Sequence, residues 1–181
     1  SLKRFFKIII FFYPKLAKVF DPIGIIEHIE DYTLRELNLK NEVEGHELLY
    51  SIYKKNCGLY DLSDMKFPKI FRELSSESVM VSEFIPGKTF DEILDRDMDY
   101  SRLLMLFKIH GFFMFTIGTF HGDIHPGNLM FYNEKIYFID TGAIGHVSEK
   151  LSKGLLNFFN ALCFYDYESC ALRLNEMAET S

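Results

Sequence analysis

The segment 119–142, TFHGDIHPGNLMFYNEKIYFIDTG, concentrates side chains whose types and spacing could do chemistry. Asp123 and Asn128 are five residues apart across a Pro-Gly turn, and Asp140 follows twelve residues after Asn128. Such a turn can aim the Asp123 carboxylate at an accepting hydroxyl while the Asn128 carbonyl oxygen reaches a metal ion. A hairpin of two short strands can return Asp140 to this loop, and Gly142 then lets the chain leave sharply. Phosphoryl transfer with Mg²⁺ needs this combination of groups.

A zinc site and an ordinary polar turn are the alternatives for the same residues. His121, Asp123 and His125 alternate along the chain and could bind zinc from one face, but such ligands normally need further ones, and no second His/Cys cluster follows. An ordinary polar turn does not require Asp, Pro, Gly and Asn in this order before a second Asp-x-Gly. Protein-kinase loops place a catalytic Asp, an Asn and a metal-binding Asp-x-Gly in this order at nearly this spacing. Phosphoryl transfer therefore accounts for the most residues.

The sequence on either side of this segment predicts an α+β, mostly helical lobe with short β-hairpins, which would position these residues. Before the segment, the sequence predicts one long helix over residues 23–55 with a candidate break near Gly45, and a hairpin from FPKIFREL and SVMVSEF. Thr89 is the candidate N-cap of a short helix, and residues 100–119 read as a core helix that is apolar all round. After the segment, two helices split near residues 164–166.

Composition limits the class of protein. The 181 residues suit one domain, with residues 1–20 as an N-terminal helix packed on it and residues 21–181 as the main body. The basic start of that helix leaves a membrane-surface helix as the alternative. A net charge of −6 argues against a nucleic-acid binder, and three cysteines without CxxC pairing indicate a reducing cytosolic compartment.

A second stretch, VMVSEFIPGKTF, bears on nucleotide binding. Its Gly87-Lys88-Thr89 resembles the end of a phosphate-binding P-loop, but Ser82 stands where that motif needs its first glycine, so the P-loop interpretation fails. In a kinase-like arrangement this stretch is the strand and hinge beside the adenine, with the Glu83 carbonyl and the Ile85 amide facing the base. A plain hairpin strand with an exposed turn accounts for the stretch equally well.

Three motifs together resemble the UbiB (AarF-type) family of atypical kinase-like proteins. GTFHGDIHPGNLMF is similar to the family's catalytic loop, FIDTG to its metal-binding Asp-Phe-Gly, and RELNLKNEVEG to its Glu-x-Asp motif and C-helix Glu. The resemblance runs from about Phe20 to Glu149. The matched motif positions are Glu36, Asn38, Glu42, His121, Asp123, His125, Asn128, Asp140 and Gly142, with Asn38 where the family has Asp and Thr141 where it has an aromatic residue.

The resemblance implies binding of ATP and Mg²⁺, with Asp123 catalytic, Asn128 and Asp140 on the metal, and Glu42 near the nucleotide. It also implies ATPase or unorthodox phosphotransferase activity in isoprenoid-quinone (ubiquinone) metabolism, at a cytoplasmic location with peripheral attachment to a membrane or isoprenoid lipid. The family's Lys-x-Gly-Gln motif, nucleotide loop and phosphate-binding Lys are not found. This predicts a large lobe with its C-helix but without most of the small lobe. Whether the chain is an active enzyme or a pseudoenzyme is left open. The alternatives are a small-molecule kinase of the aminoglycoside or choline phosphotransferase type and a non-catalytic binding module.

Overall fold

Helices build most of the fold, and two small sheets carry the segment 119–146. The computed structural model describes residues 2–12, 21–94 and 99–178, with all side chains in these ranges except those of residues 2, 11, 12, 31, 32, 35 and 36. The helices are α1 Leu2–Phe12, α2 Pro22–Glu36, α3 Leu39–Asn56, α4 Phe90–Ile93, α5 Tyr100–Gly111, α6 Glu149–Cys163 and α7 Tyr167–Ala178. The strands are β1 Met65–Lys66, β2 Lys88–Thr89, β3 Thr119–His121, β4 Leu129–Tyr132, β5 Lys135–Phe138 and β6 Ile144–His146. The predicted α+β, mostly helical lobe is confirmed.

The larger sheet has the strand order β1-β5-β4-β2, and the smaller one pairs β3 with β6. Strands β4 and β5 form the predicted hairpin, with Leu129 opposite Phe138 and Tyr132 opposite Lys135. One face of this hairpin packs into the main core, whose most buried members are Leu49, Met65, Phe90, Ile109, Leu129, Ile136 and Phe138. The hairpin is therefore held in two ways, by hydrogen bonds along its strands and by apolar packing beneath it.

The helix predicted over residues 23–55 is broken, but the predicted position of the break near Gly45 is wrong. Helix α2 ends at Glu36 and α3 begins at Leu39, while α3 continues through Gly45 to Asn56. Asn38 causes the new start, because its side chain accepts a hydrogen bond from the Lys40 N–H at 3.2 Å and so acts as an N-cap. Gly45 instead lies against the backbone of Thr141.

Two further predictions need correction. Of the hairpin predicted from residues 67–84, only an antiparallel bridge between Ile70 and Ser82 forms, and Arg72–Leu74 is a short 3₁₀ helix. The segment predicted as an all-buried core helix is α5 followed by a π-helix, Phe112–Ile117, and its residues Leu104 and Phe107 are exposed. Among the described residues, a helix that is apolar on all sides is therefore not buried on all sides.

The ends of the chain follow the predictions where the structure describes them. Helix α1 confirms a helical start, and residues 13–20 of the predicted N-terminal helix lie outside the described residues. Lys3 joins α1 to Glu30 of α2. At the other end, α6 and α7 meet at a turn over residues 164–166, as predicted, with Tyr165 in the left-handed region at φ 58°.

Candidate active site

The loop between β3 and β4 holds Asp123 and Asn128 against each other. A 3₁₀ turn, Pro126–Asn128, brings the buried Asn128 back under Asp123. The Asn128 Nδ2 group donates to the main-chain oxygen of Asp123 at 3.1 Å and to its carboxylate Oδ2 at 3.2 Å. With its amide nitrogen used in this way, Asn128 keeps its Oδ1 as an acceptor. One asparagine thus fixes both the course of the loop and the aim of the Asp123 carboxylate.

His121 is buried beneath this loop and both of its ring nitrogens are engaged. Its Nδ1 accepts a hydrogen bond from the Asp123 N–H at 3.1 Å, so the proton sits on Nε2, which donates to the main-chain oxygen of Asp140. Burial lowers the pKa of His121 below its ordinary value of 6.5, against the opposing effect of the Asp140 hydrogen bond and of the charges on Asp140 and Asp123. The neutral ring therefore ties the loop that carries Asp123 to the turn that carries Asp140.

His125 has a local role at the same loop. Its Nδ1 accepts a hydrogen bond from the Gly127 N–H at 3.0 Å, which caps the 3₁₀ turn that carries Asn128. A β-carbon on Gly127 would lie 2.8 Å from the His125 ring, so a larger residue there would push the ring aside. His125 therefore stabilises the compact turn that carries Asn128.

Asp140 reaches the loop by way of the hairpin, as the sequence predicted. Directly before it, the Ile139 N–H donates to the main-chain oxygen of Asn128 at 3.2 Å. The Asp140 Oδ1 accepts a hydrogen bond from the Gly142 N–H at 3.3 Å, which turns the chain away. Asp123, Asn128 and Asp140 are thereby brought to one end of the hairpin.

Helix α3 closes the other side of this end. The Glu42 Oε1 accepts a hydrogen bond from the Thr141 N–H at 3.0 Å, and the Thr141 hydroxyl donates to the main-chain oxygen of Glu42 at 3.2 Å. A β-carbon on Gly45 would lie only 2.0 Å from the Thr141 carbonyl oxygen, so the helix can come this close only with glycine there. The C-helix Glu predicted from sequence is thus in direct contact with the Asp-Thr-Gly turn.

A cleft of about 720 Å³ opens beside these contacts. Its walls are the polar face of α3 and the strand that follows the Asp-Thr-Gly turn, together with Gly122 of the catalytic loop: Asn38, Asn41, Glu42, Glu44, Gly45, Leu48, Gly122, Gly142, Ala143, Ile144, Gly145 and His146. This volume suits a small-molecule ligand of nucleotide size.

Comparison with known proteins gives the family. A model of the ABC1 atypical kinase-like domain matches residues 1–174. The chain belongs to the ABC1 atypical kinase-like family. Its ABC1 domain is 31% identical over 168 residues to the "Probable protein kinase UbiB" of Aliivibrio fischeri (strain ATCC 700601 / ES114), covering 86% of this chain and 29% of that protein. The chain therefore spans less than a third of the length of this UbiB relative.

More distant relatives extend the comparison. The ABC1 domain is 26% identical over 147 residues to "Protein ACTIVITY OF BC1 COMPLEX KINASE 8, chloroplastic" of Arabidopsis thaliana, covering 77% of this chain and 18% of that protein. Among solved structures it is similar to "The complex structure of Rv3197-erythromycin from Mycobacterium tuberculosis", with a TM-score of 0.58 and 20% identity over 88% of this chain and 41% of that one. The structural likeness supports the kinase-like fold.

Not every predicted site residue of the ABC1 domain comes to the cleft. Within the described part of the chain, Glu42 and Gly142 line it, but Asp123, Asn128 and Asp140 do not. Glu83 and Ile85 are not among its lining residues either. The Glu83 N–H donates to the Lys69 carbonyl at 2.8 Å and its carboxylate accepts from the Lys69 N–H at 3.1 Å, while Ile85 is buried. Glu36 ends α2, and its side chain lies outside the described residues.

The donor chemistry of the loop fits magnesium better than zinc. Asn128 and Asp140 offer the hard oxygen ligands that Mg²⁺ prefers. The zinc alternative does not survive the geometry, because both ring nitrogens of His121 and the Nδ1 of His125 are already used. Within the described residues, no group of three or more His, Cys, Asp or Glu side chains is placed to hold a metal ion.

Sequence reasoning missed two residues that shape the site. Gly45 looked like a helix break, yet its position three residues after Glu42, on the same helix face, was the available signal that the helix passes close to another backbone. Ser152 gave no signal at all. Its buried hydroxyl shares its one hydrogen between the main-chain oxygens of Met114 (3.3 Å) and Phe115 (3.1 Å), in the π-helix that leads into β3.

Proposed function

We propose that this ABC1 domain binds a nucleotide with Mg²⁺ and functions in an ATP-dependent phosphotransferase or ATPase reaction. The observation that carries the proposal is the double hydrogen bond from the Asn128 amide to Asp123, at the end of the hairpin that also delivers Asp140. A kinase-like fold with carboxylate, amide and carboxylate groups at one end of a hairpin has the parts that phosphoryl transfer requires. The match to the ABC1 family supports this proposal over a small-molecule kinase of the aminoglycoside or choline type.

The roles follow from chemistry and placement. Asn128 and Asp140 would hold the metal through their oxygens, and Mg²⁺ would neutralise charge on the phosphates. Asp123, oriented by Asn128, would position the hydroxyl or water that accepts the phosphoryl group and take up its proton. His121 would keep the loop and the Asp140 turn in register without touching the substrate.

The adenine would then lie toward the hinge. The main-chain groups of Glu83 and Ile85 remain the proposed adenine contacts, supported by their position between the bridge at Ser82 and β2. We keep isoprenoid-quinone metabolism as the proposed context, because it is what the UbiB resemblance implies.

A spatial test uses Mn²⁺ in place of Mg²⁺. Mn²⁺ with a non-hydrolysable ATP analogue, added to residues 1–181, should broaden the ring NMR signals of His121 and His125 far more than those of His28 on α2. Asp140→Ala should remove this difference by weakening metal binding, whereas Asp91→Ala, at an exposed aspartate in the first turn of α4, should keep it. Equal broadening of all rings, or the same selectivity in Asp140→Ala, would contradict the proposed site.

A peripheral membrane contact is the second part of the proposal. Among the described residues, no helix combines the length and the apolar character that crossing a bilayer requires. The outer face of α1 exposes Phe5 and Ile8 beside Arg4 and Lys7, a mixture of apolar and basic groups suited to an anionic lipid surface.

Vesicle sedimentation tests this contact. The protein should bind phosphatidylcholine vesicles only when they contain phosphatidylglycerol, and charge reversal of both Arg4 and Lys7 should abolish binding. Charge reversal of Lys55 and Lys66, exposed on α3 and β1, is the matched control and should change little. Equal binding to neutral vesicles, or equal losses in both double variants, would refute the assignment to α1.

A further inference from the structure

We infer that Glu42, Gly45 and Thr141 fuse helix α3 and the Asp140–Thr141–Gly142 turn into one rigid unit, with Glu42 acting as a positioning residue that needs no lysine partner for this role. The inference rests on the proposed function, because the turn matters as the carrier of the metal ligand Asp140.

The first support is the reciprocal pair of hydrogen bonds. The Glu42 side chain receives the Thr141 N–H, and the Thr141 side chain donates to the Glu42 main chain. Thr141 is 2% exposed, so water cannot easily replace either bond. A phenylalanine at position 141, as in the Asp-Phe-Gly motif, has no hydroxyl for the second bond, so this link depends on the Thr that departs from the family pattern.

The second support is the backbone contact one helical turn further on. Gly45 allows α3 to approach the Thr141 carbonyl so closely that a β-carbon would be 2.0 Å from its oxygen. Glu42, Gly45 and the buried Leu49 lie at i, i+3 and i+7, on one face of α3. The turn therefore contacts two successive turns of the helix, which restricts rotation as well as translation.

The third support is that the turn is also fixed from its opposite side. The main-chain oxygen of Asp140 accepts a hydrogen bond from the His121 Nε2, and the same ring accepts from the Asp123 N–H. A continuous set of contacts therefore runs from Glu42 through Thr141, Asp140 and His121 to Asp123. Weakening the contacts between Glu42 and Thr141 should therefore leave the position of Asp140, the proposed metal ligand, less fixed.

Conservative variants separate positioning from an ion pair. Glu42→Gln keeps a side-chain oxygen that can accept the Thr141 N–H but loses the charge that a lysine would pair with. Glu42→Ala loses both. Thr141→Val keeps the shape and removes the hydroxyl, whereas Thr141→Ser keeps the hydroxyl.

The experiment has two readouts on residues 1–181. The first is amide hydrogen exchange at Thr141, followed by NMR. The second is affinity for Mn²⁺ with the ATP analogue. Glu42→Ala leaves the Thr141 N–H unpaired and should speed its exchange about tenfold or more, with a similar loss of Mn²⁺–nucleotide affinity. Glu42→Gln should stay within about threefold of wild type in both, and Lys55→Ala, at the exposed end of α3, is the control for surface changes on the helix. Thr141→Val should fall between the two Glu42 variants, and Thr141→Ser should resemble wild type.

The outcomes are distinct. If Glu42→Gln is as damaging as Glu42→Ala, the charge is essential and the inference is overturned. It is also overturned if Glu42→Ala leaves Thr141 exchange unchanged in a folded protein. If no variant and no wild-type protein binds Mn²⁺ with nucleotide, yet exchange follows the expected order, the proposed function fails while the rigid unit is upheld.

Discussion

Replacing Gly45 with Ala tests how tightly helix α3 is seated on the Asp-Thr-Gly turn. In an ordinary helix interior this change stabilises a protein by roughly 1 kcal/mol, because alanine is the better helix former. Here the new β-carbon would sit 2.0 Å from the Thr141 carbonyl oxygen, and real β-carbons essentially never approach within 3.0 Å. The obstacle is backbone rather than a flexible side chain, so helix and turn must separate by about 1 Å.

A separation of that size has a calculable cost. The hydrogen bonds between Glu42 and Thr141, now 3.0 and 3.2 Å, would be stretched beyond useful length. Forcing extra volume into a packed contact costs about 1–3 kcal/mol, and each lost hydrogen bond adds about 1 kcal/mol. These costs exceed the helix-propensity gain, so we expect Gly45→Ala to lower the free energy of unfolding by about 2–4 kcal/mol.

Gly111→Ala is the matched control. Gly111 is also helical, at φ −59° and ψ −38°, but the nearest atom to its β-carbon would be the Phe115 ring at 3.7 Å, an ordinary contact. This variant should be neutral or stabilising by up to about 1 kcal/mol. Urea unfolding of the two variants and wild type measures the difference. If Gly45→Ala is as stable as Gly111→Ala, the close seating of α3 on the turn is refuted.

Four further outcomes are expected. Asp123→Asn should leave Mn²⁺–nucleotide affinity intact but lower ATP turnover, measured on a protein that carries a complete kinase-like domain, by about two to four orders of magnitude, as for loss of a positioned general base. Lost affinity with retained turnover would exchange its role with that of Asp140. Glu134→Gly should raise the free energy of unfolding by about 1 kcal/mol, since Glu134 sits at φ 57° in the β4–β5 turn, and an unchanged midpoint in urea would argue against strain there. Burial lowers the pKa of His46, His110 and His121, so the unfolded chain binds more protons than the folded one. The free energy of unfolding should therefore fall as the pH drops below about 6.5. A free energy of unfolding that does not change with pH in this range would contradict the burial of neutral histidine rings. Residues 1–181 alone should show weak or undetectable ATP turnover and a tendency to self-associate through exposed apolar groups such as Phe84, and monomeric protein with ordinary enzyme rates would disprove both expectations.

The loop between β3 and β4 and the hairpin that follows it could be predicted because their signals are local. Asp123 and Asn128 are held together by a five-residue turn, and the strands of the hairpin are short apolar runs joined by a two-residue turn. Order and spacing along the chain therefore translate directly into proximity. The N-cap role of Thr89 is confirmed for the same reason, since its N–H is bonded to Glu92 only three residues away.

The contacts across the site could not be predicted, because no local pattern encodes them. Gly45 reads as a helix break by propensity, and only the backbone of Thr141 on the opposite wall explains why glycine is needed. Asn38 looked like the loss of a charge, yet the fold uses its side chain as an N-cap, which Asn performs as well as Asp. The exposure of Phe107 likewise depends on where α5 lies, which its composition does not determine.

The link between Glu42 and Thr141 also sets the order in which the site can be assembled. These partners are 99 residues apart in sequence, whereas Asn128 finds Asp123 after only five. Closing the long loop costs more chain entropy than closing the short one, so the catalytic turn and hairpin can form first and α3 docks on them afterwards. During synthesis, the face of α3 that carries Glu42 and Gly45 stays uncovered until Thr141 has emerged. The α3 side of the site is thus synthesised first but covered last, and it is where a chaperone would have the most effect on the yield of folded protein.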